Sequence, residues 1–208
     1  MSIAIIDYGA GNLRSVQKAF EKLGFDAILT KDKIAIRTAK GVVLPGVGSF
    51  DSAVTELRNS NLEGIIEEVI AMEKPFFGIC LGYQLLFESS EEGKLKGFGI
   101  LKGRVTKFNF SDTPFSGYSI PHMGWNRLLF KRHSPIFDDI PDSSMVYFAH
   151  SYYPVPEDES IVSAQTDYAI LFASSIGKGN LFGVQFHPEK SGATGLKILE
   201  NFGKLCLK

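Results

Sequence analysis

A cysteine with a glycine two residues away on each side, in Gly78-Ile79-Cys80-Leu81-Gly82-Tyr83-Gln84, has the clearest capacity for chemistry in this chain. It falls where the apolar run Pro75 to Ile79 gives way to a segment, Leu81 to Phe87, that reads as helical. A sharp strand-to-helix turn presses neighbouring backbone against that of the nucleophile, so glycine is needed at the flanks. The partial positive charge at the helix start favours a thiolate. The amide of Leu81, the residue after the nucleophile, would face a bound carbonyl. The alternative is a buried structural cysteine in a glycine-rich turn.

A thiolate nucleophile needs a base, and the histidines are His122, His133, His150 and His187. His187 is the best placed. It follows the apolar run from Asn180 to Phe186, Pro188 turns the chain, and Glu189 stands two residues on as a carboxylate able to orient the ring. Without Cys80, a solvated loop histidine would be the simpler reading. Pro45-Gly46-Val47-Gly48 follows another apolar run, Val42 to Leu44. Its amides can supply the second half of an oxyanion hole, or the segment is an ordinary type II turn. The glycines beside Val47 tolerate φ of either sign. A peptide of this turn can therefore reorient at little cost. His150-Ser151-Tyr152-Tyr153 closes a strand-like run, Met145 to Ala149, and a strand end with surface aromatics explains it as well as a site does.

These residues must be gathered by the elements they terminate. Ile3 to Asp7 reads as a strand buried on both faces, and Leu13, Val16, Phe20 and Leu23 recur at helical spacing until Gly24, a left-handed cap. Strand-like Ala27–Leu29 and Gly41–Leu44 follow, then helical segments over roughly 51 to 72, then the run into Cys80. Alternating strands and helices predict an α/β fold with a mostly parallel central sheet flanked by helices, and such sheets collect ligand sites at the carboxyl ends of their strands. From about residue 98 short strand-like runs, among them Arg104–Phe108 and Met145–Ala149, predict antiparallel additions to that sheet. Asn180–Phe186 would be the last core strand, and Leu196, Leu199, Phe202 and Leu205 a closing helix.

The 208 residues contain no repeat and no long linker, so one domain over 1–208 is expected. Two cysteines, Cys80 and Cys206, leave no disulfide scaffold and no multi-cysteine metal site, and point to a reducing, cytoplasmic setting. A net charge of −1 lacks the basic excess of a general nucleic-acid binder. The first apolar run has no basic segment before it, and no apolar stretch approaches the ~18 residues of a membrane span, so neither secretion nor a membrane is expected.

Gly78–Gln84, Pro45–Gly48 and Gly183-Val-Gln-Phe-His187-Pro-Glu189-Lys190-Ser191 together resemble the triad glutamine amidotransferases. Asp7-Tyr-Gly-Ala-Gly-Asn12-Leu-Arg-Ser15, Pro121-His-Met-Gly-Trp-Asn126 and Ala149-His-Ser-Tyr-Tyr153 narrow the resemblance to the glutaminase subunits of imidazole glycerol phosphate synthase, over nearly the whole chain. The resemblance implies a class I amidotransferase fold of flavodoxin-like layout. It makes Cys80 the nucleophile toward the carboxamide of L-glutamine, His187 the base and then acid, and Glu189 its orienter. Backbone amides of Leu81, Gly46 and Val47 would hold the oxyanion, while Gly48, Gln84, His150, Ser151 and Tyr152 would bind glutamine. No metal or other cofactor is implied. Ammonia would pass to a (β/α)₈-barrel cyclase subunit in a heterodimer, met through Asn12, Trp125 and Lys190, although Trp125 could instead be a core indole. The stretch 107–119 departs from the pattern and reads as a variable surface loop. The alternatives are a paralogue supplying ammonia for surface-sugar amidation, a stand-alone cysteine hydrolase, and a silent binding module. The Met123–Asn126 block and Gln84 argue against the hydrolase, and the intact Cys80, His187 and Glu189 argue against the silent module.

Overall fold

The four aliphatic residues Ile3–Ile6 form β1, and every one of them is buried. Alternate side chains enter opposite layers: Ile3 and Ile5 pack in one apolar cluster, Ala4 and Ile6 in the other. The computed structural model, which describes residues 2–9, 11–110 and 117–207, continues through α1 (Leu13–Lys22), β2 (Ala27–Thr30), α2 (Lys33–Thr38), β3 (Gly41–Gly46), α3 (Phe50–Asn59), α4 (Glu63–Ala71), β4 (Phe76–Cys80) and α5 (Leu81–Gln84). Then come β5 (Ser89–Ser90), β6 (Gly103–Lys107), β7 (His122–Arg127), β8 (Leu129–Phe130), β9 (Met145–His150), β10 (Tyr152–Pro156), β11 (Val162–Asp167), β12 (Leu171–Lys178), β13 (Leu181–Val184) and α6 (Gly192–Leu205).

The main sheet has the order β2-β1-β3-β4-β13-β12-β11-β8. Its first five strands are parallel and the rest antiparallel, as the alternation of strand and helix predicts. Leu13, Val16 and Phe20 of α1 and Ile198, Leu199 and Phe202 of α6 cover one face. Ile36 of α2, Phe50 and Leu57 of α3, and Ile65 and Val69 of α4 cover the other. Each large side chain so buried contributes ~1.5–3 kcal/mol of transfer free energy, which is what holds the parallel strands in one register.

Two expectations change, and one helix goes unforeseen. Arg104–Phe108 and Met145–Ala149 do form strands, but not in the central sheet: β6 lies in a three-stranded sheet with β10 and β5, and β9 pairs with β7 alone. The expected helix from Leu81 to Phe87 stops at Gln84. The carbonyls of Leu85, Leu86 and Phe87 instead accept from Phe98, Leu101 and Gly99, which pins the 98–101 segment in their place. The six-residue helix α2, capped by Asp32 accepting from the amide of Ile34, has too little apolar periodicity to announce itself. Of the loop expected over 107–119, residues 111–116 lie outside the described residues, as does Ala10 of the first motif. No helix among the described residues is long and apolar enough to cross a membrane.

Candidate active site

Gly46 of β3 stands opposite Cys80 of β4, and Val184 of β13 opposite Ile79, so three parallel strands end together and deliver their loops to one edge. Cys80 has φ +54° and ψ −110°, a conformation that costs a non-glycine residue of order 1–3 kcal/mol and persists because the surroundings fix it. A side chain at Gly82 would lie 1.8 Å from the carbonyl oxygen of Leu44, and one at Gly78 would lie 2.9 Å from the carbonyl of Gly82. The glycine spacing is thus a consequence of the elbow's close approach to β3 at Gly82 and to its own backbone at Gly78, as the sequence implies.

Pro45 and Gly46 remain within β3, paired with Ile79 and Cys80. The type II turn reading therefore fails, since it would need Gly46 at positive φ, and it is Gly48 that has φ +101°. Strand pairing out to Gly46 carries Val47 and Gly48 to the rim of the cleft that holds Cys80.

His187 emerges after β13 and is held by its backbone: its amide donates to the carbonyl of Tyr147 at 2.9 Å, and its carbonyl accepts from the Ser191 hydroxyl at 2.6 Å. Nδ1 lies 2.9 Å from Oε1 of Glu189, whose side chain is wholly buried. A carboxylate can only accept, so Nδ1 donates, and the Cys80 sulfur lies near enough to the ring to favour its charged form. Burial disfavours the imidazolium, but the negative sulfur beside the ring and then Glu189 outweigh it, holding His187 well above the ordinary histidine range. The result is an imidazolium favoured beside the Cys80 sulfur, with a buried carboxylate behind it. Asn12, expected at a partner interface, donates from Nδ2 to Oε1 of Glu189 at 2.5 Å.

A cleft of about 300 Å³ opens on Cys80 and His187 and is lined also by Val47, Gly48, Leu81, Gln84, His150, Ser151, Tyr152 and Lys190. Every expected glutamine-binding residue is therefore gathered there. Gly46, Glu189, Asn12 and Trp125 are not among the lining residues; Glu189 sits behind His187. Trp125 is 53% exposed and Met123 63% exposed on β7, so the core-indole reading of Trp125 is wrong.

Three residues escaped the sequence reading. Glu92 lines the cleft, with Oε2 accepting from the amide of Phe50 at 2.8 Å; burial raises its carboxyl above the usual range, and that amide partly offsets the effect. His122, set aside with the other histidines, lies opposite His150 in the β7–β9 pair, with its Nδ1 3.1 Å from Nε2 of His150. Burial takes His122 down to about 4 and His150 to about 3, so both rings are neutral near pH 7. Gln185 is fully buried, with Nε2 3.6 Å from the Cys80 sulfur. One polar side chain inside the apolar run Leu181–Phe186 was the available signal, because a buried amide needs partners.

Comparison with known proteins agrees with this geometry. Residues 4–205 match the family model for glutamine amidotransferase class-I. The chain is 50% identical over 204 residues to the imidazole glycerol phosphate synthase subunit HisH of Moorella thermoacetica, covering 98% of this chain and 94% of that protein. It is also 50% identical over 210 residues to the HisH subunit of Aquifex aeolicus, covering 100% and 99%. Among solved structures, PurLQS from Thermotoga maritima superposes with a TM-score of 0.75 at 20% identity, covering 99% of this chain and 97% of that one, which bears on the fold alone.

Proposed function

Because the chain belongs to the class-I glutamine amidotransferase family, and within it to the HisH subunits of imidazole glycerol phosphate synthase, we propose that Cys80, His187 and Glu189 are the triad with which it hydrolyses glutamine for histidine biosynthesis. The Cys80 sulfur attacks the carboxamide carbon. The oxyanion that forms meets the amide of Leu81 and those of the Gly46–Val47 segment, and each such donor is worth ~3–4 kcal/mol in the transition state. His187 gives its proton to the departing nitrogen as the C–N bond breaks, leaving ammonia and a glutamyl thioester. The neutral ring then takes a proton from water, which attacks the thioester and frees glutamate and the Cys80 thiolate. Glu92 is the negative charge in the cleft that a substrate ammonium group would meet.

Ammonia then passes to a (β/α)₈-barrel cyclase subunit, docked over the rim that carries Lys190 and Met123 and over the exposed Trp125 of β7. Docking turns an amide of the Gly46–Gly48 segment toward the oxyanion, which raises turnover by ~10²–10³ with little change in glutamine KM. The observation that carries the reading is the buried Cys80–His187–Glu189 line at the edge where β3, β4 and β13 end. Its test is the Cys80→Ser variant assembled with the cyclase. Glutamine-dependent synthesis should be lost while synthesis from ammonia survives. A variant that still uses glutamine, or that fails with ammonia although assembled, contradicts it.

A further inference from the structure

Besides His187, the Cys80 sulfur has a second polar neighbour, and that neighbour's orientation is fixed from outside the triad. The carbonyl oxygen of Tyr152 can only accept, and it lies 2.8 Å from Nδ1 of His150 and 3.0 Å from Nε2 of Gln84. Gln84 must therefore present its NH₂ group there. The same nitrogen is 3.0 Å from Oε1 of Gln185, so that oxygen accepts and the Gln185 NH₂ is turned toward the sulfur at 3.6 Å. The same logic continues outward. His150 donates from Nδ1, so its Nε2 accepts from Nδ1 of His122, and Nε2 of His122 accepts from the Asn126 amide at 3.3 Å. Asn126 is itself oriented by donating to the carbonyl of Asp167 at 2.9 Å. Two runs of hydrogen bonds thus meet at the Tyr152 carbonyl, one from Asn126 through His122 and His150 and one from Gln84, and Gln84 also orients the Gln185 amide that faces the nucleophile.

Resting on the assignment of Cys80 as nucleophile, we propose that Gln185 is a further catalytic residue of the glutaminase reaction, donating from its side-chain amide to the Cys80 sulfur and aimed there by Gln84 and the Tyr152 carbonyl. His187 cannot stabilise the sulfur throughout, because it surrenders its proton to ammonia. When water displaces the sulfur from the thioester, the Gln185 N–H supplies a hydrogen bond to the returning thiolate that does not depend on the protonation of the ring. Gln185 has no proton to exchange at neutral pH, so its contribution is constant through the cycle. Gln84 spends both of its N–H groups on Tyr152 and Gln185, which leaves only its Oε1 for substrate.

The test is the pH dependence of Cys80 alkylation by iodoacetamide in the free full-length chain, read by mass spectrometry, for the parent, Gln185→Met and Gln185→Glu. The titratable groups around the sulfur are His187 with Glu189 behind it, Tyr8 after β1, and His150, Glu92 and Lys190 in the cleft. All are present in all three proteins, so a difference isolates Gln185. Gln185→Met, of similar length but without a donor, should alkylate ~10-fold more slowly near pH 6–7, and the gap should close as the pH rises and both sulfurs become thiolate. Gln185→Glu should be slower still, since it places an acceptor where a donor was. A purely structural role for Gln185 would lower the unfolding temperature and leave the shape of the pH profile unchanged. Folded Gln185→Met with the parent's profile overturns the proposal. A parent whose Cys80 resists alkylation at every pH would remove the triad itself, and this proposal with it.

Discussion

Replacing Glu189 by glutamine separates the charge of the triad carboxylate from its geometry. Oε1 receives both donors, Nδ1 of His187 at 2.9 Å and Nδ2 of Asn12 at 2.5 Å, while Oε2 is buried without a partner among the described residues. In Glu189→Gln one arrangement keeps both bonds: the amide oxygen takes the place of Oε1, and its NH₂ takes that of Oε2. The ring stays oriented, but the hydrogen bond to it is no longer charge-assisted, which withdraws ~1–2 kcal/mol from the imidazolium and lowers turnover ~5–30-fold. His187→Asn removes the proton carrier and should cost at least ~10³. The sign of the pH effect also follows. The imidazolium is held high in part by Glu189, so Glu189→Gln lets it deprotonate earlier, and the alkaline limb of kcat/KM moves to lower pH. The assay is glutamate release by the assembled complex across that limb. Equal losses in Glu189→Gln and His187→Asn, or an unshifted alkaline limb, would refute the reasoning.

Tyr83 is fully buried and its hydroxyl has no partner among the described residues. Tyr83→Phe should therefore leave stability unchanged or raise it by ~1 kcal/mol, and a loss of that size in urea unfolding would show that the hydroxyl is paired. Gly82→Ala sets a methyl group 1.8 Å from the Leu44 carbonyl, an atom of the strand beside the elbow, and should destabilise by ~3 kcal/mol or more in the same experiment. A near-neutral result would mean the elbow can move off β3. His150 is held down at about 3 by burial, so between pH 6.5 and that value the unfolded chain takes up a proton the fold refuses. Stability is then full above pH 6.5 and falls by up to ~1.4 kcal/mol per pH unit on acidification, with His122 acting in the same direction. Urea midpoints that do not fall between pH 7 and pH 5 would contradict this.

The parts of this molecule that sequence makes legible are those in which one physical constraint dominates. Ile3–Ile6 can be buried on both faces only as a central strand, and Gly82 and Gly78 are needed because a cysteine elbow leaves no room for Cβ against β3 and against its own backbone. His187 and Glu189 are close in sequence and so could be paired without a structure. His122 and His150 are 28 residues apart and meet only because β7 and β9 pair in that register, which no local pattern encodes. Asn12 and Glu189 are 177 residues apart, so a motif containing Asn12 gave no sign that its side chain turns toward the triad rather than outward. The early end of α5 has the same origin, since carbonyls that would continue the helix are taken by residues 98–101. Pairing between distant segments decided these points, and propensity had no hold on them.

The central claim is that Cys80 is the nucleophile for the glutamine carboxamide, and the most direct measurement is covalent labelling by a glutamine analogue that carries an electrophile at the carboxamide position, followed by peptide mass spectrometry. Cys206 is an internal control: it is buried against Gly41, and burial pushes its thiol up to about 12, so it presents little thiolate at pH 7. One adduct per chain on Cys80, prevented by excess glutamine and absent from Cys80→Ser, is the predicted result. An adduct on Cys206, or glutamine hydrolysis that continues undiminished after Cys80 is fully modified, would contradict it.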